Sequence, residues 1–320
     1  DKMKVSRRNA IKKTAAGLTG LMIPPQFLRA AEAVKPFGEY YANLETLTTG
    51  EWWKRPGNLM TPLKNGRKAG PPNLNIPRNQ VVVFALYTQQ NEVLKLTAQL
   101  FPLKPGEPRQ VRLELKFPKE DWKEVAQAEV LYPGWDAHFR IEEWDDSVDV
   151  KYRVRHGEGG KFEGLIRKDP RNKEEIVVAN LSCNSSRTTG PRKEIVDNLR
   201  KLNPDLLFFG GDQTYRHTEH TAGWIECGLQ YRDIIRDRPT VAIPDDHDVG
   251  HPNVWGENGK HSSIPGNADG GYKFPVDYVN LVQRQQTWSL PDPVDPAPVN
   301  RNIGVYFTRL TVGKVDFAIL

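Results

Sequence analysis

The hydrophobic pattern of this chain changes period partway along, and the change separates two kinds of element. Between residues 81 and 166, short runs alternate apolar and polar positions: Val93-Leu94-Lys95-Leu96-Thr97, Val111-Arg112-Leu113-Glu114-Leu115 and Val148-Asp149-Val150-Lys151-Tyr152-Arg153-Val154, preceded by Val81-Val82-Val83-Phe84-Ala85-Leu86-Tyr87. Turn signals such as Pro105-Gly106 and Gly159-Gly160 separate the runs. Short strands at even spacing predict an antiparallel β-sandwich. His138 and His156 fall in this region and read as surface or strand-end residues, because no second ligand type stands at a useful spacing from either. Ahead of it, residues 36–77 are rich in Pro, Gly and Asn around Trp52-Trp53, and predict an irregular segment wrapped over a surface.

After Asp169-Pro170 the order becomes strand, helix, strand. Residues 176–181 predict a short buried strand, and residues 194–202 carry apolar positions at helical spacing. Leu206-Leu207-Phe208-Phe209 predicts a second buried strand, a helix runs through Trp224, Ile225, Leu229, Ile234 and Ile235, and Thr240-Val241-Ala242-Ile243 is a third strand. That βαβαβ order demands a parallel sheet with crossover helices, so all three strands end on one side. The expected fold class is an all-β sandwich followed by α/β. Two further apolar strands are expected at 303–309 and 315–320.

The chemistry sits at the three strand ends: Ser182-Cys183-Asn184-Ser185, Gly211-Asp212-Gln213-Thr214-Tyr215 and Pro244-Asp245-Asp246-His247-Asp248. Ligands of open α/β sheets bind outside the carboxyl ends of the strands, and glycine lets the backbone approach them closely. Taken singly, Cys183 reads as a small buried hydrophobe, Tyr215 as packing and His247 as a loop residue. Together they put a thiol, a carboxylate with a phenol, and carboxylates beside an imidazole at one edge, which predicts a metal site.

The formal charge of +5 suggests nucleic acid at first sight. Part of the excess, however, lies in Lys2, Lys4, Arg7, Arg8, Lys12 and Lys13, and no basic face interleaved with aromatics is visible in the α/β part. Residues 1–33 combine that basic start with Ser6-Arg7-Arg8-Asn9, a short apolar middle and Ala31-Glu32-Ala33, which describes an export signal too short to span a bilayer. The arginine pair resembles the twin-arginine address. The alternative is a basic amphipathic helix, which Gly17, Gly20 and Pro24-Pro25 disfavour. The expected location is the periplasm or outside the cell, with the twin-arginine translocation machinery as partner, no transmembrane segment and no stable nucleic-acid partner. In an exported protein the two cysteines, Cys183 and Cys227, can pair as a disulfide; Cys183 as a metal ligand is the other possibility.

At this point the sequence resembles the PhoD-like alkaline phosphatases and phosphodiesterases, a branch of the calcineurin-like metallophosphoesterases. Gly211-Asp212 and Asp245-Asp246-His247-Asp248 match two blocks of that superfamily. Ser182-Cys183 in place of a first-strand Asp-x-His, and Tyr215 three residues after Asp212, mark the PhoD-like branch. The resemblance implies a hydrolase in which water attacks phosphorus in line, with a two-metal site of ferric iron and calcium. Cys183 and Tyr215 would bind iron, Asp212 would bridge, Asp246 and Asn253 would serve calcium, and His247 would be the catalytic histidine. The substrate would be a phosphoester, small or polymeric. The division implied is 1–33 export signal, 34–170 wrap and β-sandwich, and 171–320 phosphoesterase domain. The last part would be the N-terminal half of an αββα sandwich, C-terminally incomplete, with further ligands expected beyond residue 320. The competing functional reading is a non-catalytic extracellular binding protein with a degenerate phosphoesterase domain.

Overall fold

The computed structural model describes residues 35–55, 73–185, 192–264 and 269–320; the arginine pair and the rest of the expected export signal lie outside them. Seven strands come first: β1 (Val82–Gln90), β2 (Val93–Leu100), β3 (Gln110–Lys116), β4 (Lys123–Glu129), β5 (Asp136–Ile141), β6 (Val150–His156) and β7 (Gly160–Ile166). They form two antiparallel sheets, β1-β2-β5 and β4-β3-β6-β7. The β1–β2 hairpin turns on Asn91 and Glu92, both at positive φ, the backbone twist a two-residue hairpin requires. In β6, Val150, Tyr152 and Val154 point inward while Lys151 points to solvent, the alternation read from the sequence. His156 closes β6 with its ring buried and Nε2 2.7 Å from the Pro108 carbonyl, so it is a strand-end residue but not a surface one.

The α/β part runs β8 (Val178–Leu181), α1 (Lys193–Leu202), β9 (Leu206–Gly210), α2 (His220–Ile235), β10 (Thr240–Ile243), α3 (Val276–Thr287), β11 (Thr308–Val312) and β12 (Val315–Ile319). Strands β8, β9 and β10 form a parallel sheet in the order β10-β9-β8. Leu181 pairs with Phe209 and Ile243 with Gly210, so the three carboxyl ends stop level. The middle strand is buried on both faces: Leu207 and Phe209 join the core shared with α2 and the β-sandwich, whereas Leu206 and Phe208 pack with residues of the β11–β12 hairpin.

Two burial patterns depart from expectation. Strand β8, expected buried, is the edge of its sheet, and Val178 is 39% exposed. Strand β1, read with the period-two runs of the sandwich, is buried from Val82 to Gln89 because α2 packs against it as well. A Cβ on Gly228 of α2 would lie 2.0 Å from the Phe84 ring, so glycine is what lets the helix approach the strand this closely. Phe84 then meets Trp224 edge to face, with centroids 5.3 Å apart. Caught between these layers, α2 buries thirteen of its 16 residues, as a helix covered all round must.

The wrap segment ties down the start of that helix. Glu45 Oε1 accepts the Thr221 amide at 3.0 Å, while Glu219 accepts the Thr46 and Leu47 amides at 3.0 and 2.8 Å. A carboxylate from each side thus satisfies main-chain donors of the other, and Glu45 does for α2 what a local N-cap residue does elsewhere. Burial, and then the charge of Glu45, push Glu219 up to about 7. Among the described residues no helix is long and apolar enough to cross a membrane.

Helix α3 is anchored to the sandwich through Arg284, whose Nε and Nη2 donate to Asp136 Oδ2 and Oδ1 at 2.9 and 2.8 Å. Burial raises the Asp136 carboxyl, but the Arg284 guanidinium and His138 outweigh it and hold the group down at about 2. Since the folded value lies below the ordinary 3.8, the stabilisation is present above that ordinary value and disappears as pH falls through the folded one, an effect of about 2 kcal/mol. Arg284→Ala should therefore cost about 3–5 kcal/mol at neutral pH, because it leaves a buried carboxylate uncompensated. It should also remove the loss of stability between about pH 4 and pH 2. Denaturant titrations across that range check both; a variant as stable as the parent would show that the pair does not hold α3.

Candidate metal centre

The β8–β9 pairing continues past the strand ends into the loops. Cys183 N–H donates to the Gly211 carbonyl at 3.2 Å and Asn184 N–H to that of Asp212 at 2.8 Å, which sets Cys183 beside Asp212. Both Cys183 and Asp212 then adopt left-handed backbone, with φ of 57° and 58°, and Asn253 does the same at 63°. Non-glycine residues held in that region are uncommon and concentrate where structure serves a site. Gly211, at φ 96°, has a different reason: a Cβ there would lie 2.4 Å from that of Asp245, so only glycine admits the β10 loop.

Asp248 fastens these loops together. It is fully buried, and its Oδ1 accepts the Thr214 amide at 3.0 Å while Oδ2 accepts the Asp245 amide at 3.1 Å. Burial pushes this carboxyl up to about 7 against those two donors. The sequence reading set Asp248 beside His247 as one of two flanking carboxylates, but the structure turns it inward. Only Asp246 joins His247 at the site.

Five of the residues proposed from sequence come together. Tyr215 hydroxyl donates to Asp212 Oδ2 at 2.8 Å, and Cys183 Sγ lies 3.7 Å from the same oxygen. Asp212, Asp246 and His247 each offer a ligand atom, all within 4.8 Å of one another. Asp246 is itself held from both sides: Oδ1 accepts the His247 amide at 2.7 Å and Oδ2 accepts the Asn253 amide. The tie between Asn253 and the cluster therefore runs through its main chain. Cys183 is exposed rather than turned away from solvent, and neither cysteine is in a disulfide; Cys227 is buried on α2.

His217 was missed in the sequence reading. Its Nε2 lies 2.7 Å from His247 Nδ1. The available signal was its position five residues beyond Asp212 in the same loop. On the helix side of Cys183, a cleft of about 460 Å³ is lined in part by Cys183, Asn184, Arg192, Gln213 and Tyr231.

The electrostatics of this cluster suit a cation. Burial raises the Asp212 carboxyl; donation from Tyr215 and the charge of His247 oppose this, and Asp246 and Asp245 raise it further. Burial, then the contacts with Asp212 and Cys183, push the Tyr215 phenol well up. Asp212 Oδ1 is buried without a hydrogen-bond donor, which is costly for a carboxylate oxygen. A metal ion at that oxygen would relieve both the crowding of like charge and the missing donor.

No protein-family model and no curated protein matches the chain. Among solved structures it is similar to that of PhoD, at 15% identity and TM-score 0.56, over 77% of this chain and 52% of that one. It is also similar to the purple acid phosphatase PPD1 from yellow lupin (Lupinus luteus) seeds, at 13% identity and TM-score 0.48, over 73% of this chain and 43% of that one. The chain thus spans about half the length of the PhoD structure, and what it shares with it is a partial phosphoesterase-like fold.

Asp248→Ala should destabilise the protein by about 2–5 kcal/mol, since it removes from a buried position the acceptor of both the Thr214 and the Asp245 amides. Asp248→Asn, which keeps an acceptor oxygen, should recover part of this. Denaturation midpoints decide the matter, and a loss below about 1 kcal/mol for the alanine variant would mean the loops are held some other way.

Proposed function

We propose that this chain belongs to an exported, metal-dependent phosphoester hydrolase of the alkaline phosphatase or phosphodiesterase type. The observation that carries the reading is the convergence of Cys183 and Tyr215 on one oxygen of Asp212, whose other oxygen is buried and undonated, beside Asp246 and His247 at a parallel-sheet edge. Thiolate and phenolate suit ferric iron and oxygen donors suit calcium. In this reading Cys183 and Tyr215 would hold iron, Asp246 and Asn253 would serve calcium, and Asp212 would be the ligand shared between them. Metal ions bound here would neutralise charge on the phosphoryl group and activate water for in-line attack.

The chain's own residues do the rest. Asp246, fixed by two amides, cannot swing away from the cluster, so the position of its carboxylate is set before substrate arrives. His247 stands within reach of the same carboxylates and would give its proton to the leaving oxygen. The cleft beside Cys183 offers room for the organic part of the ester. Placement outside the cytoplasm, by way of the twin-arginine machinery, rests on Arg7 and Arg8.

The two roles separate by mutation. In protein shown by metal analysis to hold iron and calcium, His247→Ala should keep both metals and lower turnover of p-nitrophenyl phosphate and its diester by about 10²–10⁴-fold. Asp212→Ala should lose metal and activity together. Loss of metal from His247→Ala would make His247 a ligand, and a parent protein without stoichiometric metal would favour the non-catalytic reading. For export, replacing Arg7 and Arg8 by Lys should leave precursor inside the cell; normal export of that double variant would rule out the arginine pair as the address.

A further inference from the structure

Three rings lie in succession beside the cluster. Tyr215 and His247 have centroids 4.2 Å apart at 37°, and His247 and His217 have centroids 4.9 Å apart at 27°. The imidazoles are also joined by a hydrogen bond, His217 Nε2 to His247 Nδ1, at 2.7 Å. A bond between two ring nitrogens needs one proton, and the ring that supplies it determines which nitrogen of His247 remains for the site. Nδ1 is engaged, which leaves Nε2, and Asp212 and Asp246 each hold an oxygen within 4.8 Å of one ring nitrogen of His247. Carboxylate oxygens attract an N–H and repel a lone pair, so the proton of His247 belongs on Nε2. Nδ1 is then the acceptor and His217 Nε2–H the donor.

We infer that His217 is a positioning residue: its ring N–H holds His247 by Nδ1, in the tautomer that carries its proton on Nε2. The main chain of His217 is fixed for this task. Its carbonyl accepts the Tyr278 hydroxyl at 2.8 Å from α3, and a Cβ on Gly250 would lie 2.6 Å from that carbonyl, so the β10 loop backs it closely. A partner that orients a reacting histidine through its second nitrogen sets both tautomer and ring angle, and losing such a partner commonly costs about 10–100-fold in activity. The consequence for catalysis rests on the phosphoester reading; the tautomer itself does not.

The test therefore has two independent readouts. The full chain, labelled with ¹⁵N-histidine and stripped of metal by a chelator, should show His247 protonated on Nε2 and unprotonated on Nδ1 at mildly alkaline pH. In His217→Phe both nitrogens of His247 should move toward averaged values, whereas His217→Gln, whose amide nitrogen can take the place of Nε2, should keep the parent pattern. If the phenylalanine variant does not fold, His217→Asn, with an amide too short to reach, replaces it. In the metal-loaded protein, His217→Phe should lower kcat for p-nitrophenyl phosphate by about 10–100-fold with KM and metal content unchanged, and His217→Gln should stay within a few-fold of the parent. A parent His247 protonated on Nδ1, or a tautomer unaffected by His217→Phe, would overturn the inference. Should the parent hydrolyse no phosphoester while the tautomer shifts as described, the role of His217 stands and the phosphoesterase reading falls.

Discussion

Three parallel strands that stop at the same level leave their following loops without a ladder to complete, and the chemistry here depends on how those loops are held. The buried carboxylate of Asp248 is the central tie, accepting one amide from the loop after β9 and one from its own. Gln213 adds a second, donating to the Ile243 carbonyl at 2.8 Å and to Gln286 of α3 at 3.0 Å. Because these ties are buried, opening either loop would expose unpaired polar groups in a low-dielectric interior. In that setting Cys183 and Asp212 hold left-handed backbone, with φ of 57° and 58°.

The cluster carries an electrostatic burden that the loops alone do not relieve. Asp212, Asp245 and Asp246 stand close enough that the last two raise the carboxyl of the first. Gathering like charge at one sheet edge opposes folding, and at a partly buried position it opposes it more strongly. Protons on Tyr215 and Cys183 offset part of the burden at Asp212 Oδ2. Oδ1, with no donor, is the atom at which a cation would act most directly. The same arrangement that raises a carboxyl in isolation would make it a strong ligand once positive charge is present.

How much of this was legible in the sequence follows from the range of each interaction. Strands β9 and β10 and the residues at their ends were legible because a buried parallel strand is a continuous apolar run ended by glycine or proline. The exposure of β8 was not, since an apolar run does not say whether its strand is central or at an edge. The burial of β1 was written in its seven consecutive apolar residues, but reading it as one more alternating strand hid the second covered face. Glu45 as a cap for α2 could not be read at all, because donor and acceptor are 176 residues apart. Asp248 and His217 were visible as residues, yet which way each side chain turns is decided by packing between loops and not by local pattern.

That packing explains why a histidine pair at the site involves the whole molecule. Residues 217 and 218 lie between Tyr215 and the first turn of α2, a helix whose position is fixed by the β-sandwich through Gly228 and Phe84. The Thr218 carbonyl accepts the Glu45 amide at 2.8 Å from the wrap, and the neighbouring His217 carbonyl accepts Tyr278 from α3. Helix α3 is in turn held to the sandwich by Arg284 and Asp136. Wrap, sandwich and α3 therefore bear on a two-residue stretch of main chain, and the His217 ring projects from that stretch toward His247. An imidazole orients its neighbour only as well as its own backbone is fixed. The sandwich reaches that stretch through the core that it shares with the α/β layer.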